Sequence, residues 1–180
     1  MYVGITGTFA SGKGEIVRML KRHGFVHYSF GDLIRHEVSR QGMDPTIEHS
    51  MEYANRMRAQ HGPGYFAELL LRKCQEDAPK NAVFESIRTL AELKVLQRLP
   101  GFILISVDAP RELRYERLQR RGRGDNLDTF EKFCTWEDKQ LEGAEHEQHL
   151  LAVMDMADIQ IVNIGNLEEL EEQLREALNI

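Results

Sequence analysis

The stretch GTFASGKGE, residues 7–15, directly follows an apolar opening, MYVGIT. A glycine-rich turn between a buried strand and a helix points successive backbone N–H groups into one concavity, and the positive end of the helix dipole adds to its attraction for an anion. Gly7 opens such a turn, Gly12 allows close backbone approach, and Lys13 can reach the terminal phosphates of a nucleotide. A merely tight connection accounts for the glycines but not for the lysine. Thr8, Ala10 and Ser11 complete the cradle, and Gly14 and Glu15 follow it. Gly14 stands where a metal-binding Ser or Thr is usual.

The rest of the chain repeats the alternation that this strand, turn and helix begin. Strands are expected at YVGIT (2–6), FVHYS (25–29), AVFES (82–86), FILISV (102–107) and IQIV (159–162). Amphipathic helical patterns lie between them, among them EIVRMLKRH, DLIRHEVSRQ, YFAELLLRKC, TLAELKVLQRL and PRELRYERLQRR. Strands that read as continuous apolar runs are buried on both faces, so the order predicts a parallel sheet sandwiched by helices. Ligands on such sheets sit beyond the carboxyl ends of the strands. Two segments fit the core less well. A helical excursion is expected over about residues 32–64, its polar part, 40–64, bounded by glycine and proline; residues 122–136 interrupt the chain after the arginine-rich helix. With 180 residues, no repeat and no linker, the chain reads as a single domain, 1–180.

Composition narrows the function classes. The net charge of −6 argues against a nucleic-acid polymer as main partner. Charge is uneven, however: RELRYERLQRRGR, residues 111–123, holds six arginines against two glutamates and is where an anionic ligand would be sought. The acidic tail NLEELEEQLREAL reads as a solvated helix packing Leu167, Leu170, Leu174 and Leu178 inward. No apolar run approaches the roughly 20 residues of a membrane helix. Without a basic leader before MYVGIT, a cytoplasmic location is expected. Cys74 and Cys134, 60 positions apart, form neither a metal pair nor a disulfide framework. His146 and His149 in HEQH lack zinc-protease spacing and read as surface residues.

Several motifs together resemble a family. The Gly-Lys-Gly of the cradle is similar to that of adenylate kinases and related nucleoside monophosphate kinases, whose metal is held largely through water. Glu15 replaces their threonine. YSFGDLIRHEV, residues 28–38, resembles their Ser-Thr-Gly-Asp-(Leu/Met)-(Leu/Ile)-Arg segment, which implies that Arg35 grips an acceptor phosphate. AVFESIRTLAEL resembles their Asp-Gly-(Phe-Pro or Ile)-Arg pattern, with Glu85 for the aspartate and Arg88 as second acceptor arginine. The shorter acid-to-arginine spacing, ANRMRAQHGPGYFAELL and the tail ADIQIVNIGNLEEL are closer to a poorly characterised group of predicted P-loop nucleotide kinases. Dephospho-coenzyme A kinases, relatives with a similar Asn-x-Gly end, use an aspartate near the position of Asp32.

The resemblance implies a three-layer α/β/α P-loop kinase fold with a five-stranded parallel sheet, and ATP-dependent phosphoryl transfer to a small nucleotide. The acceptor is expected to be a nucleoside or deoxynucleoside monophosphate, with dephospho-coenzyme A as rival and a nucleotide-binding regulatory protein as a further alternative. ATP and Mg²⁺ are the implied cofactors, and a monomer is expected. Lys13, Arg88, Arg117 and Arg121 are the candidate catalytic residues. Arg117 and Arg121, one turn apart on one face, resemble the Arg-x-x-x-Arg leading into the lid of these kinases, here over about residues 122–136. Trp136 reads as a lid anchor or part of the core. Asn163 and Gly165 resemble the loop that holds adenine by backbone contacts, or form a simple turn.

The acidic residues keep two readings each. Glu15 is stabilised by the helix dipole or reaches magnesium, alone or through water. Glu85 orients the metal's water shell or caps its loop. Asp32 caps a helix or takes a proton from a hydroxyl acceptor; a phosphate acceptor, ionised at pH 7, needs no such base. Arg35 and Arg88 favour the phosphate acceptor.

Overall fold

The computed structural model describes residues 1–122, 127–141 and 150–180, without the side chains at positions 121, 139 and 140. The elements run β1 (Tyr2–Gly7), α1 (Lys13–Arg22), β2 (Val26–Ser29), α2 (Phe30–Arg40), α3 (Ile47–His61), α4 (Tyr65–Asp77), β3 (Ala82–Glu85) and α5 (Leu90–Leu96). They continue through β4 (Phe102–Asp108), α6 (Arg111–Arg121), α7 (Phe130–Leu141), α8 (Leu150–Asp155), β5 (Ile159–Val162) and α9 (Leu167–Leu178). All strand pairings are parallel, in the order β2-β3-β1-β4-β5, so β1 and the cradle that follows it lie at the centre of the sheet.

Pleating sends alternate side chains to opposite faces. Val3 and Ile5 of β1, Val83 of β3 and Ile105 and Val107 of β4 face α1 and α9, where they bury Ile16, Leu20, Leu170 and Leu174. Phe84 and Leu104 face the other way, into Phe66, Leu70, Leu93 and Leu96 of α4 and α5 and Val153 of α8. The three expected layers result. Gly4 has no room for a side chain, since a Cβ there would come within 2.4 Å of the Phe102 ring.

Three details differ from the sequence reading. Residues 122–136 are not a mere interruption, because α7 begins at Phe130 and buries Phe133 beside Leu118 and Leu127. Its aromatic spacing packs against α6 and the cradle rather than against the sheet. Leu167 is exposed, lying one residue after the Asn166 cap, before the helix face turns inward at Leu170. The cap of α2 is Ser29, whose hydroxyl accepts from the Asp32 N–H at 3.1 Å; Asp32 itself is already in the first turn. Cys74 and Cys134 are both unbridged. His146 and His149 lie outside the described residues. No helix among the described residues is long and apolar enough to cross a membrane.

Candidate active site

The cradle is built at the junction of β1 and α1. Gly7 has φ +135° and a Cβ there would come within 2.0 Å of the Val107 carbonyl oxygen, so the neighbouring strand passes too close for any side chain. Gly12 has φ +112°, and a Cβ there would meet Asn163 Nδ2 at 2.2 Å. The loop between them is anchored from outside. Thr8 Oγ1 donates to Asp108 Oδ1 at 2.6 Å, and Asn163 Nδ2 donates to the Ser11 carbonyl at 2.8 Å. Ala10 takes a positive φ of 60°, a conformation that L residues avoid and that recurs at ligand-binding loops. Gly12 caps α1 without a side-chain hydrogen bond, leaving the helix entrance to a ligand.

Lys13 Nζ lies along the loop, donating to the carbonyls of Gly7 at 2.9 Å and Thr8 at 2.6 Å. This holds the ammonium at the cradle, a compact point charge beside the N–H groups. Ser11 Oγ is buried without a hydrogen-bond partner, a polar atom within the cradle that ligand or water would satisfy. Gly14 has open space around it. Glu15 forms an ion pair with Arg18 on the same helix.

Glu85 ends β3 beside the cradle. Its carboxylate accepts from the hydroxyls of Ser29 at 3.3 Å and Ser86 at 3.1 Å, and His27 Nε2 stands 3.5 Å away. Desolvation pushes its pKa up, but His27, the charge of Lys13 and the Ser86 hydroxyl outweigh that and hold the carboxyl at about 2. Glu85 is therefore a fixed carboxylate near the phosphate end. A cavity of about 510 Å³ runs here past Ala10, Gly14 and Glu85.

A second cavity, of about 490 Å³, opens on the other side of Phe9, which lines both. It brings Asp32 and Arg35 of α2 together with Arg88 from the loop after β3. Arg35 Nη2 donates to Asp32 Oδ1 at 2.6 Å. Burial pushes the Arg88 guanidinium down and Arg58 adds to this, while Glu85 and Glu92 oppose it. An anion entering the cavity would relieve the desolvation of that charge. Ser86, also lining the cavity, has φ +75°, a second strained residue at a strand end.

Arg58 was not among the candidates, yet its guanidinium lines the same cavity. It is buried and donates from Nη2 to Glu92 Oε1 at 2.8 Å and from Nε at 3.2 Å. Glu92 Oε2 in turn accepts from the backbone N–H groups of Arg88 at 3.0 Å and Thr89 at 3.2 Å. One carboxylate thus ties the α3 excursion to the loop carrying Arg88. The Thr-x-x-Glu capping-box spacing of TLAEL marks Glu92 but carries nothing about its distant partner Arg58.

The arginine-rich helix divides its labour. Arg114 is buried, donating to the Ala109 carbonyl at 2.7 Å and the Phe9 carbonyl at 3.3 Å while pairing with Glu137 of α7. Arg111 reaches Glu137 at 2.8 Å and Asp138 at 2.7 Å. Arg117 faces the cradle, donating to the Ser11 carbonyl at 3.3 Å and the Asn163 carbonyl at 3.1 Å. Arg120 stays on the surface with Glu116. The Arg121 side chain and the whole of Arg123 lie outside the described residues. Asn163 holds the cradle through its side chain, and Gly165 leaves room for Glu169, whose Oε2 would lie 1.8 Å from a Cβ there.

A central glycine-rich cradle on a parallel 2-3-1-4-5 sheet, with an arginine-lined cavity that reaches the cradle residue Phe9, defines a nucleotide-binding P-loop protein of kinase fold. A shikimate kinase structure from Bacteroides thetaiotaomicron superposes with a TM-score of 0.65 at 12% identity, covering 100% of this chain and 99% of that one. A gluconokinase structure from Sinorhizobium meliloti superposes with a TM-score of 0.55 at 14% identity, covering 99% and 91%. A UPF0200 protein from Methanoregula boonei is 33% identical over 168 residues, 93% of this chain and 90% of that protein. The profile of a family described as AAA domain matches residues 6–134. The chain belongs to that AAA domain family and to the UPF0200 proteins.

Proposed function

We propose that this protein is a single-domain kinase that transfers the γ-phosphoryl group of ATP to a small nucleotide, a nucleoside or deoxynucleoside monophosphate, acting as a cytoplasmic monomer. The observation that carries the reading is the placement of Arg35 and Arg88 in one cavity that is lined also by Phe9, a residue of the loop whose carbonyls hold Lys13. Two anionic reactants need cations on both sides of the transferred group, and this arrangement supplies them.

In this reading the backbone N–H groups of the cradle and Lys13 hold the donor's phosphates. Arg117, between Ser11 and Asn163, stands at the donor side, and Arg35 and Arg88 hold the acceptor's phosphate in line. An acceptor phosphate oxygen forms the new bond to phosphorus as the bond to the ADP oxygen breaks. No proton need be removed from an ionised acceptor. Magnesium, when bound, would neutralise part of the donor's phosphate charge. The ionised Glu85 fits such an ion through its water shell, whereas Glu15 is engaged with Arg18. Gly14 leaves space but no ligand.

Dephospho-coenzyme A remains the rival acceptor because Asp32 lines the cavity, where a hydroxyl would meet it. Its carboxylate is engaged with Arg35, which favours the phosphate acceptor. Incubating the protein with magnesium-ATP and a panel of monophosphates plus dephospho-coenzyme A, and following acceptor-dependent ADP release, decides between them. Lys13→Ala is expected to abolish transfer, and Arg88→Ala to act mainly on the KM of the acceptor. ATP binding without acceptor-dependent turnover would sink the kinase reading in favour of a regulatory protein.

A further inference from the structure

We infer that the acceptor cavity is shaped for a phosphate monoester carrying a flat ring, and that Phe9 and Trp136 hold the ring and so select the acceptor. This rests on the phosphoryl-transfer reading and deepens it by naming the residues that meet the acceptor's ring.

The cavity lining is mixed. Arg35, Arg88 and Ser86 offer donors, while Phe30, Ile34 and Ala54 present apolar surface. Phe9 from the cradle and Trp136 from α7 complete the lining. Their rings meet edge to face, 5.1 Å between centroids at an interplanar angle of 67°. Three positions earlier on α7, Phe133 is fully buried, but Trp136 is left partly open at the cavity. A large aromatic that stays partly open beside a charged pocket has a π-face to offer.

The pair is held in place by one guanidinium. Arg114 donates to the Phe9 carbonyl and pairs with Glu137, the residue next to Trp136. The backbone beside each ring is thereby fixed to the same buried charge, which preorganises the surface for a ligand. The face of a heterocycle gains by stacking on an aromatic side chain, and the buried, unpartnered Ser50 Oγ in the same lining offers a hydrogen bond to a polar group of the ligand. The cavity volume, about 490 Å³, lies within the range of roughly 300–1,000 Å³ common for small-molecule sites.

Trp136 is the chain's sole tryptophan, so its emission reports on this wall alone. The wild-type protein is titrated with AMP, GMP, CMP and UMP, and separately with ribose 5-phosphate. At least one nucleotide is expected to change Trp136 emission and to bind about tenfold or more tighter than ribose 5-phosphate. By calorimetry and kinetics, Trp136→Leu is expected to raise Kd and KM for that nucleotide about tenfold, with Trp136→Phe restoring most of the loss. Phe9→Leu provides the second variant, and circular dichroism checks that each variant is folded. Ribose 5-phosphate binding as tightly as every nucleotide, or a folded Trp136→Leu with wild-type nucleotide affinity, would overturn the ring-binding inference while nucleotide-dependent ADP release left the kinase reading standing. Absence of ADP release with every acceptor would overturn both.

Discussion

At the scale of single residues, two glycines two positions apart carry opposite demands. Gly12 needs its positive φ, and Asn163 occupies the space its Cβ would fill. Gly12→Ala therefore incurs roughly 1–2 kcal/mol of backbone strain. It also displaces the amide that holds the Ser11 carbonyl. Gly14 has open space and sits in the first turn of α1, where serine is favoured over glycine by a few tenths of a kcal/mol. We expect Gly12→Ala to melt roughly 3–8 °C below wild type and to lose ATP binding. Gly14→Ser is expected to melt no lower than wild type. Thermal melts with and without ATP separate them, and a Gly12→Ala protein indistinguishable from Gly14→Ser would refute this account of the cradle.

At the scale of elements, the Arg58–Glu92 pair joins α3 to α5 and, through the other oxygen of Glu92, to the loop before it, both side chains being almost completely buried. Removing one member of a buried pair leaves an uncompensated charge, at a cost of about 3–5 kcal/mol. Arg58→Met is expected to be destabilised by this amount. Glutamine at position 92 can still serve as the capping-box partner of Thr89 and carries no charge. The double variant Arg58→Met/Glu92→Gln should therefore recover part of the loss, so a denaturant double-mutant cycle will show strong non-additivity. Simple addition of the two single losses would count against the pair as the tie between these elements. The same pair marks the limit of what the sequence reveals. All five strands and the helices flanking them follow from apolar runs and helical periodicity, because burial on a sheet is a local pattern. Arg35 and Arg88 are singled out by the resemblance of their segments to those of nucleotide kinases. Arg58, the sheet order and α7 depend on distant partners: Arg58 is explained by Glu92, 34 residues on, and α7 by Arg114 and the cradle. A one-dimensional pattern carries no record of such pairings, so a buried arginine reads like a solvated one.

At the scale of the whole molecule, the parallel sheet gathers the charged ends of its strands on one edge, and stability there depends on pH. Glu85 closes β3 between β1 and β2 and touches Ser29, Ser86 and His27. Desolvation opposes its ionisation, but the neighbouring His27 and Lys13 reverse the balance, holding it at about 2 against an ordinary 4.5. A folded-state value below the unfolded one means that the unfolded chain takes up the proton first. The stabilisation is therefore fully present above about pH 4.5 and is lost as pH falls towards 2. That gap corresponds to a stabilisation on the order of 3 kcal/mol. Urea unfolding of wild type and Glu85→Gln in metal-free buffer is expected to show the largest stability difference near pH 7, shrinking progressively below about pH 4.5. A difference that stays constant down to pH 3 would show that the carboxylate's charge does not hold this edge of the sheet together, and that its hydrogen bonds alone do.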